Sequence, residues 1–452
     1  MASIQKRGDR YSVVYEYFDD LGKKKQKWEA YNTEAEATKR KLEIEYKQQH
    51  NRFISPNDIT VREFFEKWLP MHARKFWSPK TYDTGYGMIL NHVYPHIGDL
   101  PLQSLTKEKM DIYFDTLCCK KKGSYKRGMP NPKCKSTKYL SGTTLKDVYI
   151  ILNSAFNKAV EWKLIEENPL PSEAPKRDTS ERLIWTEELV RNALEEIDDP
   201  LLHLAVHLAF IGSLRNGETV AITLDCLLPE EEAIVIDKTL ERVSKASLEK
   251  LHSAEVYKVF PNKIADKKSC LILKPPKTTS SRRKAFFNSE IFREIDLRLA
   301  EIERNKQTLM SRYNDHNLLI CRENGDPIEP QRLMDMFADW QDAHGTNYPR
   351  IVFHGLRHSA TTYKMSISNG DVKSVQGDNG HSSADMTLNC YSHVEELRRK
   401  TLAKKVESSF YKTAREPEDK TEDESVDKLI EMALGNPQFQ KKVLLALLSN
   451  TA

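Results

Sequence analysis

A linker predicted at residues 169–182, with the sequence PLPSEAPKRDTSER, limits the fold of this chain more than any other feature. Its prolines, serines and charges are typical of a connection between structured parts, because proline interrupts both helices and sheets. The chain has 452 residues, which at roughly 100–200 residues per domain predicts about two to four domains. We therefore expect separately folded parts on either side of this linker.

The first 52 residues are predicted to form a small domain with a three-stranded sheet and one helix. Turns at Gly8-Asp9 and around Asp20-Leu21-Gly22 separate the strands, and Asn32-Thr33 cap the helix. The predicted elements are the strands Ser3–Arg7, Arg10–Phe18 and Lys24–Tyr31 and the helix Glu34–Gln49.

Four lysines, Lys23, Lys24, Lys25 and Lys27, lie on or beside the third of these strands. Two interpretations are open. A basic sheet can enter the major groove of DNA, and lysines on an edge strand also protect it from aggregation.

Residues 57–170 are predicted to be all-helical, since apolar side chains recur there at helical spacing in four segments. Inside this block, the loop Cys119–Gly142 carries eight basic side chains and no acidic one. These residues are predicted to bind DNA phosphates through counterion release, and the interleaved Tyr125 and Tyr139 favour this over a merely solvated loop. The eight are Lys120, Lys121, Lys122, Lys126, Arg127, Lys133, Lys135 and Lys138.

After the linker, residues 180–410 are predicted to form a mixed, mainly helical domain with a small antiparallel sheet. Its predicted strands are Ala233–Asp237, Leu271–Leu273 and Lys284–Phe287. Residues 411–452 are predicted to be an acidic linker followed by two short helices, Ser425–Leu434 and Pro437–Leu448, which either contact another protein or form a loosely packed tail. The fold class is therefore multidomain α+β.

Composition excludes several classes of protein. Seven cysteines without a CxxC pair predict reduced thiols, with neither a disulfide framework nor a metal site. The N-terminus has no apolar signal segment and the chain has no run of 18 apolar residues, so a cytoplasmic protein without a membrane span is expected. The net charge of +4 is a weak indication of nucleic-acid binding, so that argument depends on local clusters of charge.

Four motifs in the third domain carry residues suited to chemistry on phosphate. In the first, Arg215 follows an apolar helix, and Glu218 lies three residues later, within reach of the guanidinium. In the third, His354 and Arg357 share one face of a helix. The motifs are GSLRNGE (212–218), PPKTTSSRR (275–283), HGLRHSATT (354–362) and GHSSADMTLNCYSHV (380–394).

These residues suit nucleophilic attack on a phosphodiester. Two arginines bind phosphate oxygens in bidentate fashion and can neutralise a pentacoordinate transition state. A tyrosine, whose pKa is near ~10, must lose its proton to attack, and a histidine can accept it. A lysine can protonate the leaving oxygen. The motifs contain no pair of carboxylates for a magnesium ion and no glycine-rich phosphate loop.

In their order and residues, the four motifs resemble the tyrosine recombinases of the lambda integrase family, and within it the integrases of Gram-positive phages and integrative conjugative elements. The resemblance covers the catalytic domain, and more loosely the helical domain and the N-terminal sheet. It implies that the chain is a site-specific integrase that cleaves and rejoins DNA through a 3′-phosphotyrosine intermediate, integrating and excising a mobile element or prophage.

The resemblance also implies a role for each motif residue. Arg215 and Arg357 would clamp the scissile phosphate, and Lys277, in a β-hairpin, would protonate the 5′-hydroxyl leaving group. His354 would act as general acid/base and His381 would donate to the phosphate. Tyr391 would be the nucleophile, Glu218 would support the pocket, and neither a metal nor another cofactor would be needed.

Two departures from the family pattern bear on these roles. Asn379 stands where the family usually has leucine, which predicts different local packing. The segment from about Thr239 to Cys270 is a long insertion before Lys277, and Lys274 and Lys284 lie close enough in sequence to be alternatives for the catalytic lysine.

The resemblance further implies partners and a division of labour. Residues 1–52 would bind arm-type DNA sites, and residues 57–170 with 180–410 would form a clamp on the core site. The active species would be a homotetramer in which a segment such as Val394–Phe410 is exchanged, helped by an excisionase and a host DNA-bending protein near the bacterial nucleoid. Two alternatives stay open: a type IB topoisomerase or telomere resolvase with the same chemistry, and a catalytically inactive DNA-binding relative.

Overall fold

A computed structural model describes residues 2–18, 22–50, 52–126, 128–178, 183–251, 255–264, 266–368, 370–380, 382–391 and 403–406. The chain divides into two compact units, residues 1–387 and 388–452. The first unit is mainly helical, with small antiparallel sheets, which confirms the predicted fold class.

The N-terminal residues form an antiparallel sheet in the order β1-β2-β3, backed by one helix. Thr33 caps this helix and exchanges hydrogen bonds with Glu36, the reciprocal arrangement that satisfies two otherwise unpaired backbone N–H groups. Val13, Tyr15 and Ile44 form its separate small core. The elements have the predicted bounds: β1 (Ser3–Arg7), β2 (Arg10–Phe18), β3 (Lys24–Tyr31) and α1 (Glu34–Gln49).

The helical block has its own core, built on large aromatic side chains such as Phe64, Phe65 and Phe156, all fully buried. The helix that begins at Pro79 continues through a π-helical stretch, Ile89–Val93, and ends at Ile97. The elements are α2 (Val61–Phe76), α3 (Pro79–Met88), α4 (Tyr94–Ile97), α5 (Lys107–Cys118), a short hairpin β4 (Tyr125–Lys126) and β5 (Met129–Pro130), and α6 (Gly142–Glu161).

The part of the chain after the linker has a third core, formed by residues between Trp185 and Ala360. Its helices are α7 (Glu187–Glu196), α8 (Pro200–Ile211), α9 (Asn216–Thr219), α10 (Lys245–Lys250), α11 (Ser289–Leu309), α12 (Pro330–Ala343), α13 (Phe353–Ile367), α14 (Val372–Asn379) and α15 (Ala384–Tyr391). Its strands are β6 (Leu227–Leu228), β7 (Ala233–Ile236), β8 (Thr239–Ser244), β9 (Lys258–Phe260), β10 (Ser269–Lys274) and β11 (Arg283–Phe286).

These strands form two sheets rather than the one small sheet that was predicted. Their orders are β8-β10-β9 and β11-β7-β6. The difference arises because the insertion supplies β8 and β9, which occupy both edges of β10 and leave β11 to pair with β7.

The insertion also docks on the helical block. The carboxylate of Asp83 on α3 accepts from the backbone N–H of Ser244 at 2.7 Å and from its hydroxyl at 2.5 Å. The Lys250 ammonium lies 5.6 and 5.3 Å from the ring centroids of Tyr82 and Tyr86. Leu251 is buried in the core of the helical block. The inserted strands therefore tie the two largest parts of the chain together.

In the second unit, the described residues are the end of α15 and a helical turn at 403–406. The two C-terminal helices that the sequence predicts, and most of the segment Val394–Phe410, lie outside the described residues. Among the residues that the structure describes, no helix combines the length and apolarity needed to cross a bilayer.

Candidate active site

The first arginine of the site is placed by a sharp turn at the end of α8. Ser213 has φ +49°, in the left-handed region that non-glycine residues seldom adopt, and Arg215 is the N-cap residue of α9. Glu218, only 3% exposed, accepts from the Arg215 backbone N–H at 3.1 Å and from its Nη1 at 2.6 Å. The predicted supporting contact of Glu218 with Arg215 is present in the structure.

The second arginine, Arg357, projects from α13 and is 2% exposed. Its Nη1 donates to the carbonyl of Ser213 at 2.5 Å, and its Nη2 donates to the carbonyl of Asn379 at 2.6 Å. Arg215 Nη2 donates to the next carbonyl, that of Gly380, at 3.3 Å. The two guanidinium groups are thus fixed on adjacent peptide groups at the end of α14.

Gly380 makes this close approach feasible. It ends α14 with φ +61°, and a Cβ atom there would lie 2.8 Å from the backbone oxygen of Ser280. A side chain at this position is therefore excluded by both backbone conformation and space.

Arg283 is a third, buried arginine that sequence analysis did not assign to the site. Its side chain is 5% exposed and lies 3.3 Å from Glu218. It also donates to the carbonyls of Gly212, Ser213 and Asp378, at 3.3, 3.4 and 2.7 Å. The alternation of β11 was a usable signal, because it places Arg283 on the same face as the buried Ala285.

Lys364 and Asp378 form a further ion pair beneath this network. The Lys364 ammonium also donates to the carbonyl of Ile211, the last residue of α8, at 2.5 Å. Burial lowers the pKa of Lys364, and the neighbouring Arg283 and Arg357 add to this, while Asp378 opposes it. Burial alone would raise the pKa of Glu218, but Arg283 and Arg215 outweigh it and hold that pKa below its ordinary value.

The charges of this cluster do not balance. Four basic side chains, those of Arg215, Arg283, Arg357 and Lys364, face the two carboxylates of Glu218 and Asp378. The excess of positive charge in a largely buried setting suits an incoming anion such as a phosphodiester.

Asn379 occupies the position where leucine was expected, and it is fully buried. Its Nδ2 donates to the Thr361 hydroxyl at 3.0 Å, and that hydroxyl donates to the backbone carbonyl of Arg357 at 2.8 Å. Within the described structure, its Oδ1 meets no hydrogen-bond donor. The structure therefore has a buried polar side chain with one hydrogen bond where leucine was expected.

We expect Asn379→Leu to leave the free energy of unfolding unchanged or to raise it by up to about 2 kcal/mol. The substitution removes a buried acceptor without a donor, which costs about 1–3 kcal/mol, in exchange for one hydrogen bond. Urea unfolding would measure it, with Asn379→Ala as the cavity-forming control. A loss above about 1 kcal/mol in the leucine variant would show that the amide contributes more than its single hydrogen bond.

The three candidate lysines differ in their surroundings. Lys274 lies 2.7 Å from Glu241, and Lys284 lies 2.5 Å from Glu231. Lys277 is exposed and has no ion-pair partner among the described residues. The hairpin expected around Lys277 is wrong as a description of strand pairing, because β10 and β11 belong to different sheets.

Two predicted residues are covered by the structure in part or not at all. His381 lies outside the described residues, and for Tyr391 the backbone is described as the end of α15 but the side chain is not. His354 is exposed on α13, one turn before Arg357, with its ring 4.8 Å from that of His358.

Comparison with known proteins decides the family. The sequence profile of the phage integrase family matches residues 186–398, a range that contains all six predicted catalytic residues. A second profile, described as phage integrase, N-terminal SAM-like domain, matches residues 60–117 in the helical block. This chain belongs to the phage integrase family of tyrosine recombinases.

Individual relatives are distant. The integrase of Staphylococcus phage L54a is 23% identical over 209 residues, which make up 46% of this chain and 52% of that protein, so the match spans about half of its length. The Tn1549 transposon integrase in complex with a circular-intermediate DNA matches with TM-score 0.56 and 18% identity, covering 77% of this chain and 99% of that one. The same integrase with transposon right-end DNA gives TM-score 0.55 and 19% identity, covering 76% and 99%. These structures show a shared fold.

The basic residues predicted to contact DNA fall into two groups. Lys24, Lys25 and Lys27 are exposed on β3, and Lys23 is exposed just before it. Lys121 and Lys122 are exposed before the β4-β5 hairpin and Lys126 is exposed on β4, whereas Arg127 lies outside the described residues. Lys120 is 8% exposed and donates to the carbonyl of Asn91 at 2.6 Å. It packs 3.9 Å from the centroid of the Tyr125 ring, so it anchors the hairpin and does not fit the predicted role of a phosphate contact.

Proposed function

We propose that this chain is a site-specific recombinase that cleaves and rejoins DNA through a 3′-phosphotyrosine formed by Tyr391. The observation that best supports this proposal is the placement of two guanidinium groups. Arg357 donates to the carbonyl of Asn379 and Arg215 donates to the adjacent carbonyl of Gly380, within a cluster that has an excess of positive charge. Membership of the phage integrase family supports the same reaction.

In the proposed reaction, Arg215 and Arg357 bind the non-bridging oxygens of the scissile phosphate. The Tyr391 oxygen attacks phosphorus, the bond to the 5′-oxygen breaks, and that oxygen takes a proton from Lys277. His354 accepts or returns the tyrosine proton, and His381 donates to the phosphate. Charge developing on the phosphoryl oxygens is met by groups already oriented, which is where electrostatic catalysis gains most.

The roles of Glu218 and Arg283 in this scheme are positional. Glu218 holds the Arg215 side chain and its backbone, while Arg283 holds Glu218 and the turn at Gly212 and Ser213. Because the phosphotyrosine retains the energy of the phosphodiester, the reverse attack by a 5′-hydroxyl rejoins the strand without a high-energy cofactor.

We expect Tyr391→Phe to abolish the covalent protein–DNA adduct while specific binding persists, because the variant lacks only the nucleophilic oxygen. The measurement is denaturing electrophoresis of the protein with an attachment-site duplex nicked beside the cleavage point, which traps the adduct. Tyr363→Phe, another tyrosine of the catalytic domain, is the matched control and should keep the adduct.

The same assay separates the alternatives. Adducts and strand exchange between two sites support the recombinase. Relaxation of supercoils without exchange would indicate a type IB topoisomerase, and adduct-free wild-type protein that still binds DNA would indicate an inactive relative. Cleavage by the phenylalanine variant would assign the nucleophile elsewhere.

We further propose that double-stranded DNA contacts the exposed lysines on and beside β3 and those on and before the β4-β5 hairpin. Residues 1–52 would bind arm-type sites, and residues 57–170 and 180–410 would bind the core site. Each of these three parts has a hydrophobic core of its own, which supports this division, and the Tn1549 structures contain bound DNA. We also propose that a homotetramer of this chain integrates and excises a mobile element, and that residues 411–452 contact other protein chains in it.

Deletion of the residues beyond 412 tests the role of this tail. If assembly and recombination are unchanged by the deletion, the tail has no role in protein contacts.

Neutralising Lys121 and Lys122 together as glutamine should weaken core-site binding and flatten its dependence on salt. Each phosphate contact contributes about one unit to the slope of log K against log salt concentration, so a decrease of about two units is expected. Fluorescence anisotropy at several salt concentrations would measure it. Lys107→Gln is the control, because that ammonium already pairs with Glu167 at 3.4 Å, and an equal decrease there would argue against a specific role for the hairpin.

A further inference from the structure

Two histidines and a carboxylate that belong to none of the four motifs converge on one face of the catalytic domain. His203 Nδ1 lies 2.5 Å from one oxygen of Glu294, and His207 Nδ1 lies 2.9 Å from the other. In the part of the chain that the structure describes, these three offer ligand atoms all within 4.8 Å of one another. We propose that His203, His207 and Glu294 bind a zinc-class divalent ion that joins α8 to α11.

The helices explain why these side chains meet. His203 and His207 are four residues apart on α8, so they lie on one face of that helix, one above the other. Most other residues of α8 are buried in the domain core, which leaves this face directed at α11 and the cleft beside it. Glu294 comes from the second turn of α11. An H-x3-H spacing on a predicted helix is the sequence signal for such a pair.

The ligand chemistry selects the class of ion. Imidazole nitrogen with one carboxylate suits zinc and its neighbours among the transition metals, whereas magnesium and calcium prefer oxygen ligands. Ligand atoms around tetrahedral zinc are roughly 3.4 Å apart for bonds of about 2.1 Å. The observed separations of 2.5 and 2.9 Å therefore need only a small outward movement of the side chains.

The surroundings also suit a metal ligand. The three side chains line one open cleft, together with Leu194 and Leu297. The side chains of His203, His207 and Glu294 are 29%, 14% and 20% exposed, so an ion can enter without unfolding and a water molecule can complete its coordination.

The site lies close to the turn that places Arg215, so a bound ion would affect the catalytic domain. His207 lies five residues before Gly212, about 7.5 Å along the helix axis, and α8 leads directly into the turn that places Arg215. A bound ion would fix α8 against α11 and stabilise the catalytic domain. The competing account is a hydrogen-bonded clamp in which Glu294 accepts from both histidines and no ion binds.

The test uses the full chain and zinc ions alone. Isothermal titration calorimetry should give one zinc per chain, and saturating zinc should raise the Tm of the catalytic domain by roughly 5–10 °C. His203→Gln, His207→Gln and Glu294→Gln should each weaken binding by at least about tenfold. All proteins carry Cys118→Ser and Cys119→Ser, because both thiols are exposed and could bind zinc themselves.

His344→Gln is the matched control, since His344 lies 3.9 Å from a single carboxylate, that of Glu196. This variant should bind zinc as tightly as the protein that carries only the two cysteine substitutions. Circular dichroism of each variant without zinc checks the fold, and Glu294→Gln keeps a side chain that can still accept hydrogen bonds. Absence of binding at about 100 µM zinc, or binding that none of the three substitutions weakens, would overturn the proposal in favour of the clamp. Magnesium should produce no shift in Tm.

Discussion

Arg357→Lys is expected to lower the rate of covalent cleavage by about 10²–10³ while the protein stays folded. A lysine keeps the positive charge but has no planar fork, so it cannot bind two phosphate oxygens and two carbonyls in one fixed geometry. In the native pocket both Nη atoms of Arg357 are already oriented by the carbonyls of Ser213 and Asn379. The measurement is the single-turnover rate of adduct formation on the nicked attachment-site duplex.

The matched control for this variant is Arg350→Lys. Arg350 precedes the same helix, but it is exposed and pairs with Asp342 at 2.6 Å on the surface. Its replacement should change the cleavage rate by less than about twofold, because exposed ion pairs contribute little. Equal rates for Arg357→Lys and the native protein would contradict the proposed clamp, provided that both bind the duplex equally.

The parts of this site that sequence could predict are those within one motif. Arg215 and Glu218 are three residues apart at the start of a helix, so their contact follows from local geometry. His354 and Arg357 likewise share a helix face. In the N-terminal domain, the alternation of apolar residues, the turns and the Thr33 cap were sufficient to predict the bounds of β1, β2, β3 and α1.

The parts that sequence could not predict depend on contacts between distant segments. The alternation of β11 places Arg283 on the buried face, but only the fold shows that its partner there is Glu218, 65 residues away. Lys120 belongs to a run of three lysines, yet it alone is buried. The pairing of β10 with β8 and β9 depends on the insertion, for which no local pattern specifies partners. Burial, rather than residue type, separates the positioning groups from the solvated ones.

The largest expected effect on stability follows from that burial. Arg283→Met should lower the free energy of unfolding of the catalytic domain by about 3–5 kcal/mol, because it removes one partner of a buried ion pair. Glu218 would keep Arg215 as its ion-pair partner, and the carbonyls of Gly212, Ser213 and Asp378 would each lose one donor. Urea unfolding followed by tryptophan fluorescence would measure this loss of stability through the buried Trp185.

Arg293→Met is the matched control, since Arg293 and Glu290 form a similar pair that is 71% and 64% exposed. This substitution should lower the free energy of unfolding by less than about 0.5 kcal/mol.

The pH dependence distinguishes an ion pair from simple packing. The pKa of Glu218 in the folded protein is held below its ordinary value of 4.5, chiefly by Arg283 and Arg215 acting against the effect of burial. The charged carboxylate therefore stabilises the fold fully above pH 4.5, less as the pH falls toward the lowered native pKa, and not at all below it. Glu218→Gln removes this contribution, so the stability difference between native and variant protein should shrink as the pH falls below 4.5. A difference that stays constant through that range would mean that shape, and not charge, is what Glu218 supplies to the pocket.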